Sequence, residues 1–292
     1  MATRHAGAGA SPAVMDPAAL DGLWSRLCEH HPALGPARRW SVVWHGSMTR
    51  GVEDELADID LWCLGRARDV RAVDAASPTR FFPFDHDGRS GHVNVESVEE
   101  FGARVGSCDL PLIAELRAAR VLVDPGGRAA ALAARASLPM PEAVRTAWFR
   151  FHYVEHRGEH RSMDNPGARG HPVAVLLAAA SCLRQALRAA MVLDGHPYPY
   201  DKWLHPDALA TPTGAAMAPW VERLLDGLAG DALRPAVPEP SHPLVQALKE
   251  MRRVLAGRAR EAGLDGDYLD RWWLHMTAAR DGIRAVRWPE TG

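Results

Sequence analysis

Residues 42–65 read VVWHGSMTRGVEDELADIDLWCLG, and this stretch decides the expected fold. The segments VVWHG and ADIDLWCLG are short, rich in β-branched and aromatic residues, and closed by glycine, which predicts two buried strands. Side chains alternate along a strand, so Asp58 and Asp60 point to one face while Ile59 points into the core. The second strand therefore brings two carboxylates to one place.

The paired acids indicate a metal site. Like charges held this close repel each other unless a proton or a metal ion neutralises them. A hard divalent cation such as Mg²⁺ prefers oxygen ligands of this kind, and two such ions can drive an in-line phosphoryl displacement. We expect Asp58 and Asp60 to be catalytic metal ligands, with two Mg²⁺ ions as the cofactor.

The Gly-Ser pair after the first strand suits a phosphate group. Gly46 has no side chain, so the backbone can approach a phosphate closely, and Ser47 adds a hydroxyl at the expected start of a helix, where phosphates bind. The alternative is an ordinary turn followed by a solvated acidic loop. Because Asp58 and Asp60 lie inside an apolar strand and not in the loop, the metal-site interpretation is favoured.

The residues from Gly46 to Asp60 resemble the signature of the DNA polymerase β-like nucleotidyltransferases: a strand ending in Gly-Ser, a short spacer, and Asp-hydrophobic-Asp in the next strand. GSMTRG is especially similar to the small-molecule branch, which includes antibiotic-modifying adenylyltransferases. The resemblance implies transfer of a nucleoside monophosphate, with ATP as the first candidate donor, to a hydroxyl of a small acceptor such as an antibiotic. Ala57 departs from the pattern, because many relatives carry serine there.

Members of this superfamily complete the metal site with a third carboxylate on a neighbouring strand. In HVNVES (92–97), the side chains of His92, Asn94 and Glu96 share one face of the predicted strand. Glu96 is the acid of the three, and we expect it to be the third catalytic metal ligand or the general base. The alternative is a surface glutamate at the end of a strand.

Three further residues are candidates for binding the NTP. GHPYPYDKWLH (195–205) resembles the tyrosine-lysine segment that some small-molecule nucleotidyltransferases place over the nucleotide, which implies phosphate binding by Lys202 and base stacking by Tyr200. Lys202 is one of two lysines in a chain that otherwise uses arginine, and a compact ammonium suits a phosphate. Arg50 can reach the triphosphate as a charged donor. The alternative for Lys202 is a structural position at the start of a helix. The alternative for Arg50 is that it is an exposed structural arginine.

The remaining pattern predicts an α+β fold with a nucleotidyltransferase domain at 16–138 and a helical bundle at 139–292, after a disordered tail at 1–15. The first domain begins with a helix capped by Asp16 and contains a small mixed sheet flanked by helices. FFPFDHDGRSGHVNVES and ARVLVDP predict three more strands. The second domain contains long helical patterns, the last of them DYLDRWWLHMTAARDGIRAV. We expect the NTP and the acceptor to meet in the cleft between the domains.

A row of polar residues at helical spacing marks the first helix of the second domain. It contains His152, Glu155, His156, Glu159 and His160. We expect a solvated helix face, with metal binding as the less common alternative.

The composition of the chain limits the classes of binding partner and the cellular compartment that we expect. A formal net charge of -2 argues against a long nucleic acid as the partner, and no apolar run approaches the length of a membrane span. Four scattered cysteines are expected to be reduced, which favours a cytoplasmic protein. The oligomeric state stays open. The alternatives to small-molecule transfer are a nucleotidyltransferase that acts on protein or RNA, and a nucleotide-binding protein of the same fold without turnover.

Overall fold

The structure is a computed structural model that describes residues 17–55, 57–163, 168–229 and 243–290. The expected tail at 1–15 and the helix cap at Asp16 lie outside these residues. The chain divides into two compact units. The first unit contains Met1–Arg104 and Glu115–Ser137, and the second contains Val105–Ala114 and Leu138–Glu290.

The first unit is built on a five-stranded mixed sheet. Its strands are β1 (Ser41–His45), β2 (Ile59–Gly65), β3 (Phe81–His86), β4 (Arg89–Ser97) and β5 (Arg120–Val123). They lie in the order β3-β4-β2-β1-β5. β2 and β4 are parallel, whereas the other neighbouring pairs are antiparallel. The predicted α+β class with a small mixed sheet is confirmed.

β2 is the central strand, and all of its residues are buried. On one face, Ile59, Leu61 and Cys63 belong to the hydrophobic core of this unit, together with apolar residues of β1, β4 and α1 (Pro17–His30). Because alternate side chains point to opposite faces, Asp60 and Trp62 lie on the other face. The core fixes β2 firmly and so fixes the direction of the Asp60 carboxylate.

The two edges of the sheet are short or interrupted. β3 and β4 form a hairpin whose turn is Asp87-Gly88, with φ of 51° and 77° at these residues. Positive φ at both central residues is the geometry of a tight two-residue hairpin turn, and Asp-Gly is a favoured pair for it. The edge strand β3 contains Pro83, which has no backbone N–H, and the other edge strand, β5, has four residues.

Four further helices follow the strands: α2 (Ala67–Ala76), α3 (Val98–Gly106), α4 (Leu110–Ala118) and α5 (Arg128–Ala136). The sequence patterns located only α1 of the helices in this part of the chain. α2, α3 and α5 have nine or ten residues, and such short segments give a weak periodic signal.

The described part of the second unit is helical apart from turns and connections. Its main helices are α6 (Glu142–Ser162), α7 (Pro172–Leu193), α8 (Asp201–Leu209), α9 (Pro212–Ala229), α10 (Pro243–Glu261) and α11 (Met276–Ala285). The prediction of one helix over DYLDRWWLHMTAARDGIRAV is wrong in its first half, where two 3₁₀ turns precede α11. The Tyr153 hydroxyl donates to the carbonyl oxygen of Leu269 at 2.9 Å, so this carbonyl is engaged by a side chain.

α7 is the most apolar helix. By length and composition it passes as a membrane span, but 56% of its most apolar window is buried inside the protein, which a core helix also shows. Arg184 and Arg188 interrupt the apolar run of this segment.

Two histidines of α6 are fully buried, so the expectation of a solvated face is wrong for them. His156 Nδ1 donates to the carbonyl oxygen of Cys182 at 3.0 Å, and the Cys182 thiol donates back to the His156 carbonyl at 3.1 Å. His152 Nδ1 lies 2.6 Å from Oε1 of Gln185. Burial lowers the pKa of His152 to about 3 and that of His156 to about 4. Both side chains are therefore neutral in the folded protein near neutral pH.

We expect His156 to make the protein less stable in mild acid. Its folded pKa of about 4 lies below its ordinary value of 6.5, so the unfolded chain takes up the proton first as the pH falls. The stability is therefore complete above the unfolded pKa and is lost as the pH falls toward the folded pKa, by about 2 kcal/mol between about pH 7.5 and about pH 5.

The variant His156→Asn keeps a side-chain N–H donor but cannot take up a proton. Its free energy of unfolding, measured by urea titration at both pH values, should change less than that of the wild type. An equal change in both proteins would contradict a buried neutral His156.

Candidate metal centre

Asp60 lies at the centre of a polar patch at the beginning of β2. It is paired with His45 of β1 and with His92 of β4. Residues paired across neighbouring strands point to the same face, so both imidazoles lie on the face of the sheet that carries the Asp60 carboxylate. The Asp60 side chain is 8% exposed, whereas that of Asp58, just before the strand, is 42% exposed. One acid is therefore buried and the other faces solvent.

Asp58, Asp60 and His92 form a compact group of possible metal ligands, with one ligand atom from each residue within 4.8 Å of the others. His92 Nδ1 lies 3.3 Å from Oδ1 of Asp60 and 3.9 Å from Oδ2 of Asp58. No other group of three or more such residues occurs in the described parts of the chain.

The spacing of these atoms fits a divalent cation. Ligands about 2.1 Å from one ion lie roughly 3 to 4 Å from each other, which is the range observed here. The donor set contains two carboxylate oxygens and one imidazole nitrogen. Mg²⁺ strongly prefers oxygen, whereas Mn²⁺, Co²⁺ and Zn²⁺ accept nitrogen as well. The residues therefore fit a divalent metal, and the imidazole favours a transition metal over Mg²⁺.

Gly46 makes room for the buried acid. Its φ is 89°, and a Cβ atom at this position would lie 2.1 Å from Oδ2 of Asp60. The expectation from the sequence is that a phosphate approaches the open side of Gly46. The Asp60 carboxylate fills that space, so the glycine is needed first for the metal site.

Ser47 does not begin a helix, contrary to expectation. It is buried, and the residues from Ser47 to Gly51 form a turn. The backbone N–H groups of Arg50 and Val52 both donate to the Ser47 carbonyl at 3.2 Å, and the Thr49 hydroxyl donates to the Gly46 carbonyl at 3.0 Å. A turn has no aligned row of peptide dipoles, so helix-dipole attraction of a phosphate is not available here.

The structure does not bring Glu96 to the two aspartates. In the parallel pairing Glu96 lies opposite Leu64, four residues along β2 from Asp60, and its carboxylate accepts from Arg104 at 3.0 Å. Asn94 lies opposite Trp62. His92 lies beside Asp60 instead, because the parallel register pairs these two residues. The shared face of His92, Asn94 and Glu96 was predicted correctly, but the register decides which of them meets Asp60.

Local sequence patterns contain only a weak signal for the two histidines of this patch. The Phe81 ring stacks on His92 with centroids 4.8 Å apart, and Trp62 stacks on His45 at 3.6 Å. These rings hold both imidazoles on the polar face. The available clue was that His45 ends the strand before the Asp-hydrophobic-Asp motif and that His92 begins the polar face of HVNVES. This clue becomes specific only when the strand order is known.

The candidates for NTP binding lie in different surroundings. Arg50 Nη1 donates to Oε1 of Glu115 at 3.3 Å, and both side chains are largely buried. The guanidinium thus has a buried partner in the first unit, and a role of Arg50 toward a triphosphate stays a prediction. Tyr200 and Lys202 belong to the second unit at the beginning of α8, where both are exposed. The Lys202 ammonium lies 5.8 Å from the Trp203 ring centroid. Their role toward a nucleotide stays a prediction.

Gly46→Ala should disrupt the metal centre, because the new methyl group would collide with the Asp60 carboxylate. Gly51→Ala is the matched control: Gly51 also has a positive φ, of 66°, but nothing lies within 4 Å of its added Cβ. Both variants carry a backbone cost of about 1 kcal/mol. Only Gly46→Ala should also lose Mn²⁺ binding, measured by electron paramagnetic resonance. Equal Mn²⁺ affinity in the two variants would show that Asp60 does not need this space.

His92→Ala should lower the affinity for Mn²⁺ at least about tenfold, because one of three ligands is removed. Glu96→Gln should leave the affinity unchanged, since Glu96 pairs with Arg104 away from the cluster. Calorimetric titration of both variants and the wild type with Mn²⁺ and with Mg²⁺ distinguishes the two residues. A loss of binding in Glu96→Gln with none in His92→Ala would reverse the assignment.

Comparisons with known proteins add little to this geometry. No family model matches the chain, and no curated protein matches it. One similar solved structure is a nucleotidyltransferase-like protein from Exiguobacterium sibiricum 255-15. It is 12% identical, the match covers 84% of this chain and 80% of that one, and the TM-score is 0.47. At this similarity, function has to be argued from the residues of the site.

Proposed function

We propose that this protein is a metal-dependent nucleotidyltransferase that moves a nucleoside monophosphate from an NTP, with ATP as the first candidate, to a hydroxyl of a small acceptor. The observation that supports the proposal is the cluster of Asp58, Asp60 and His92 beside the Gly-Ser turn. A buried carboxylate next to a second acid is costly without a counter-charge. A bound divalent metal ion provides that charge.

The transfer needs one bond made and one broken. The acceptor oxygen bonds to the α-phosphorus, the bond from this phosphorus to the bridging oxygen breaks, and pyrophosphate leaves with the electron pair while the hydroxyl proton is released. Bound metal would neutralise the phosphates and make the hydroxyl easier to deprotonate. Asp58 and Asp60 would hold and orient that charge, and the apolar packing of β2 keeps their positions fixed.

The presence of His92 among the candidate ligands changes which metal ion we expect as the cofactor. His92 replaces a carboxylate, so the site carries one negative charge less than a three-acid site and offers a nitrogen donor. We propose that Mn²⁺ or a similar cation supports activity at lower concentration than Mg²⁺. A second metal ion would need ligands from the NTP itself. We include catalysis by two metal ions in the proposal.

The acceptor is proposed as a small hydroxyl compound, and antibiotics of the aminoglycoside or lincosamide type are the first compounds to test. Support comes from the resemblance of GSMTRG to the small-molecule branch and from the formal net charge of -2, which is unfavourable for a long nucleic acid. Protein and RNA acceptors remain the alternatives within the same reaction.

A second candidate is a nucleotide-binding protein of the same fold without turnover. The observation that favours it is the composition of the cluster: within the described residues, no third carboxylate joins Asp58 and Asp60. A site of this kind would bind the metal and the NTP but release no pyrophosphate in the presence of any acceptor.

Asp58→Asn and Asp60→Asn should each lower transfer by on the order of a thousandfold while the fold is kept, because each removes one anionic ligand. Glu55→Gln is the control: it removes one negative charge from an exposed position in the same loop. Release of pyrophosphate from each NTP, with Mn²⁺ or Mg²⁺ and a panel of acceptors, measures the rates. Mass spectrometry identifies the product.

Near-normal transfer by either aspartate variant would refute the metal-site assignment. Metal-dependent NTP binding without pyrophosphate release from any NTP, in the wild type, would favour the second candidate.

A further inference from the structure

A cavity of about 620 Å³ lies at the opposite end of β2 from the metal centre. Gly65, the last residue of β2, lines it and lies five positions after Asp60 along the strand. At about 3.3 Å per residue the two places are roughly 16 Å apart. The cavity is therefore distinct from the site proposed for nucleotidyl transfer, and its volume is typical of small-molecule sites.

The cavity is strongly basic. Its lining contains five arginines and one acid, namely Arg38, Arg39, Arg66, Arg68, Arg128 and Asp69. Among the residues that the structure describes, only one of these arginines has an acidic partner: Arg128 lies 3.7 Å from Glu99. The concentration of guanidinium groups contrasts with the formal net charge of -2 for the whole chain. Repulsion between unpaired cations is unfavourable, and an anion in the cavity would relieve it.

Backbone groups add to the positive potential. The cavity is lined by the first turn of α2, by Val98 at the start of α3 and by Gly126 and Arg128 at the start of α5. The start of α2 has no side-chain cap, and the Asp69 N–H donates to the Arg66 carbonyl at 2.8 Å, so only the N–H groups of Ala67 and Arg68 precede the first helical hydrogen bond. Asp124 accepts from the N–H groups of Arg128 and Ala130, so the start of α5 is capped. The contribution of the backbone therefore comes mainly from α2.

We propose that this cavity binds a small anion with at least two linked phosphate groups, either as free polyphosphate or as the tail of a nucleotide. Guanidinium groups donate in pairs to phosphate oxygens, and five of them around one cavity exceed what a single phosphate needs. A concave site and an overall acidic chain favour a small ligand over an extended nucleic acid. The proposal does not depend on the proposed transferase activity.

Calorimetric titration of the full chain with tripolyphosphate, pyrophosphate, ATP and inorganic phosphate tests the proposal. EDTA is present throughout, so that metal at Asp58 and Asp60 cannot contribute. Tripolyphosphate should bind more tightly than inorganic phosphate. Tighter binding of ATP than of tripolyphosphate identifies a nucleotide as the ligand, and the reverse order identifies free polyphosphate.

The variant Arg66→Ala/Arg68→Ala should weaken binding of tripolyphosphate about tenfold or more, because two charged donors are lost. Arg71→Ala/Arg253→Ala is the matched control: it removes the same charge from two exposed arginines that do not line the cavity. Asp58→Asn should bind like the wild type. Arg66→Lys/Arg68→Lys keeps the charge and should lose less affinity than the alanine variant, and thermal melting checks that each variant is folded.

Three results would overturn the proposal. The first is no binding of any of these anions by the wild type at millimolar concentration. The second is an equal loss in the control variant, which would indicate general charge attraction. The third is binding of a single-stranded oligonucleotide, dependent on Arg66 and Arg68, without binding of tripolyphosphate, which would make the cavity part of a nucleic-acid surface.

Discussion

The close approach of the Asp60 carboxylate to the backbone of Gly46 is the contact on which the polar face of the first unit depends. The hydrophobic core holds β2 from the opposite face, and the missing side chain of Gly46 leaves room for the acid. A buried carboxylate in this position must be neutralised or solvated locally. The neighbouring strands place His45 and His92 on the same face, whereas Asp58, just before the strand, adds a second negative charge and increases this requirement. The chemistry of the site thus follows from the packing of one strand.

Much of this arrangement could be predicted from local patterns. The alternation in ADIDLWCLG correctly separated Asp60 from the core residue Ile59, and four of the five strands lie where β-branched and aromatic runs end next to glycine or aspartate. Long helices such as α6 and α7 were also evident, because their periodic patterns extend over about twenty residues. These features depend on interactions between residues that are near each other in the chain. Such local patterns can be identified in a single sequence.

The direction and register of strand pairing could not be predicted in the same way. If β4 ran antiparallel to β2, a different end of HVNVES would meet Asp60, and Glu96 would be a reasonable third ligand. The parallel pairing puts His92 there and leaves Glu96 to Arg104. Arg50 is a similar case, because its partner Glu115 is distant in sequence. A single sequence does not specify which distant residues meet, and both site assignments depended on that information.

The edges of the sheet affect how readily the protein aggregates at high concentration. An exposed edge strand offers unpaired N–H and C=O groups to other chains and can start aggregation. Edge strand β3 carries Phe81, which is 47% exposed and would favour such contacts. Pro83 removes one backbone donor from the same strand, and β5 is too short to form a long ladder. The sheet can therefore keep an aromatic ring stacked on His92 without becoming a template for intermolecular β-structure.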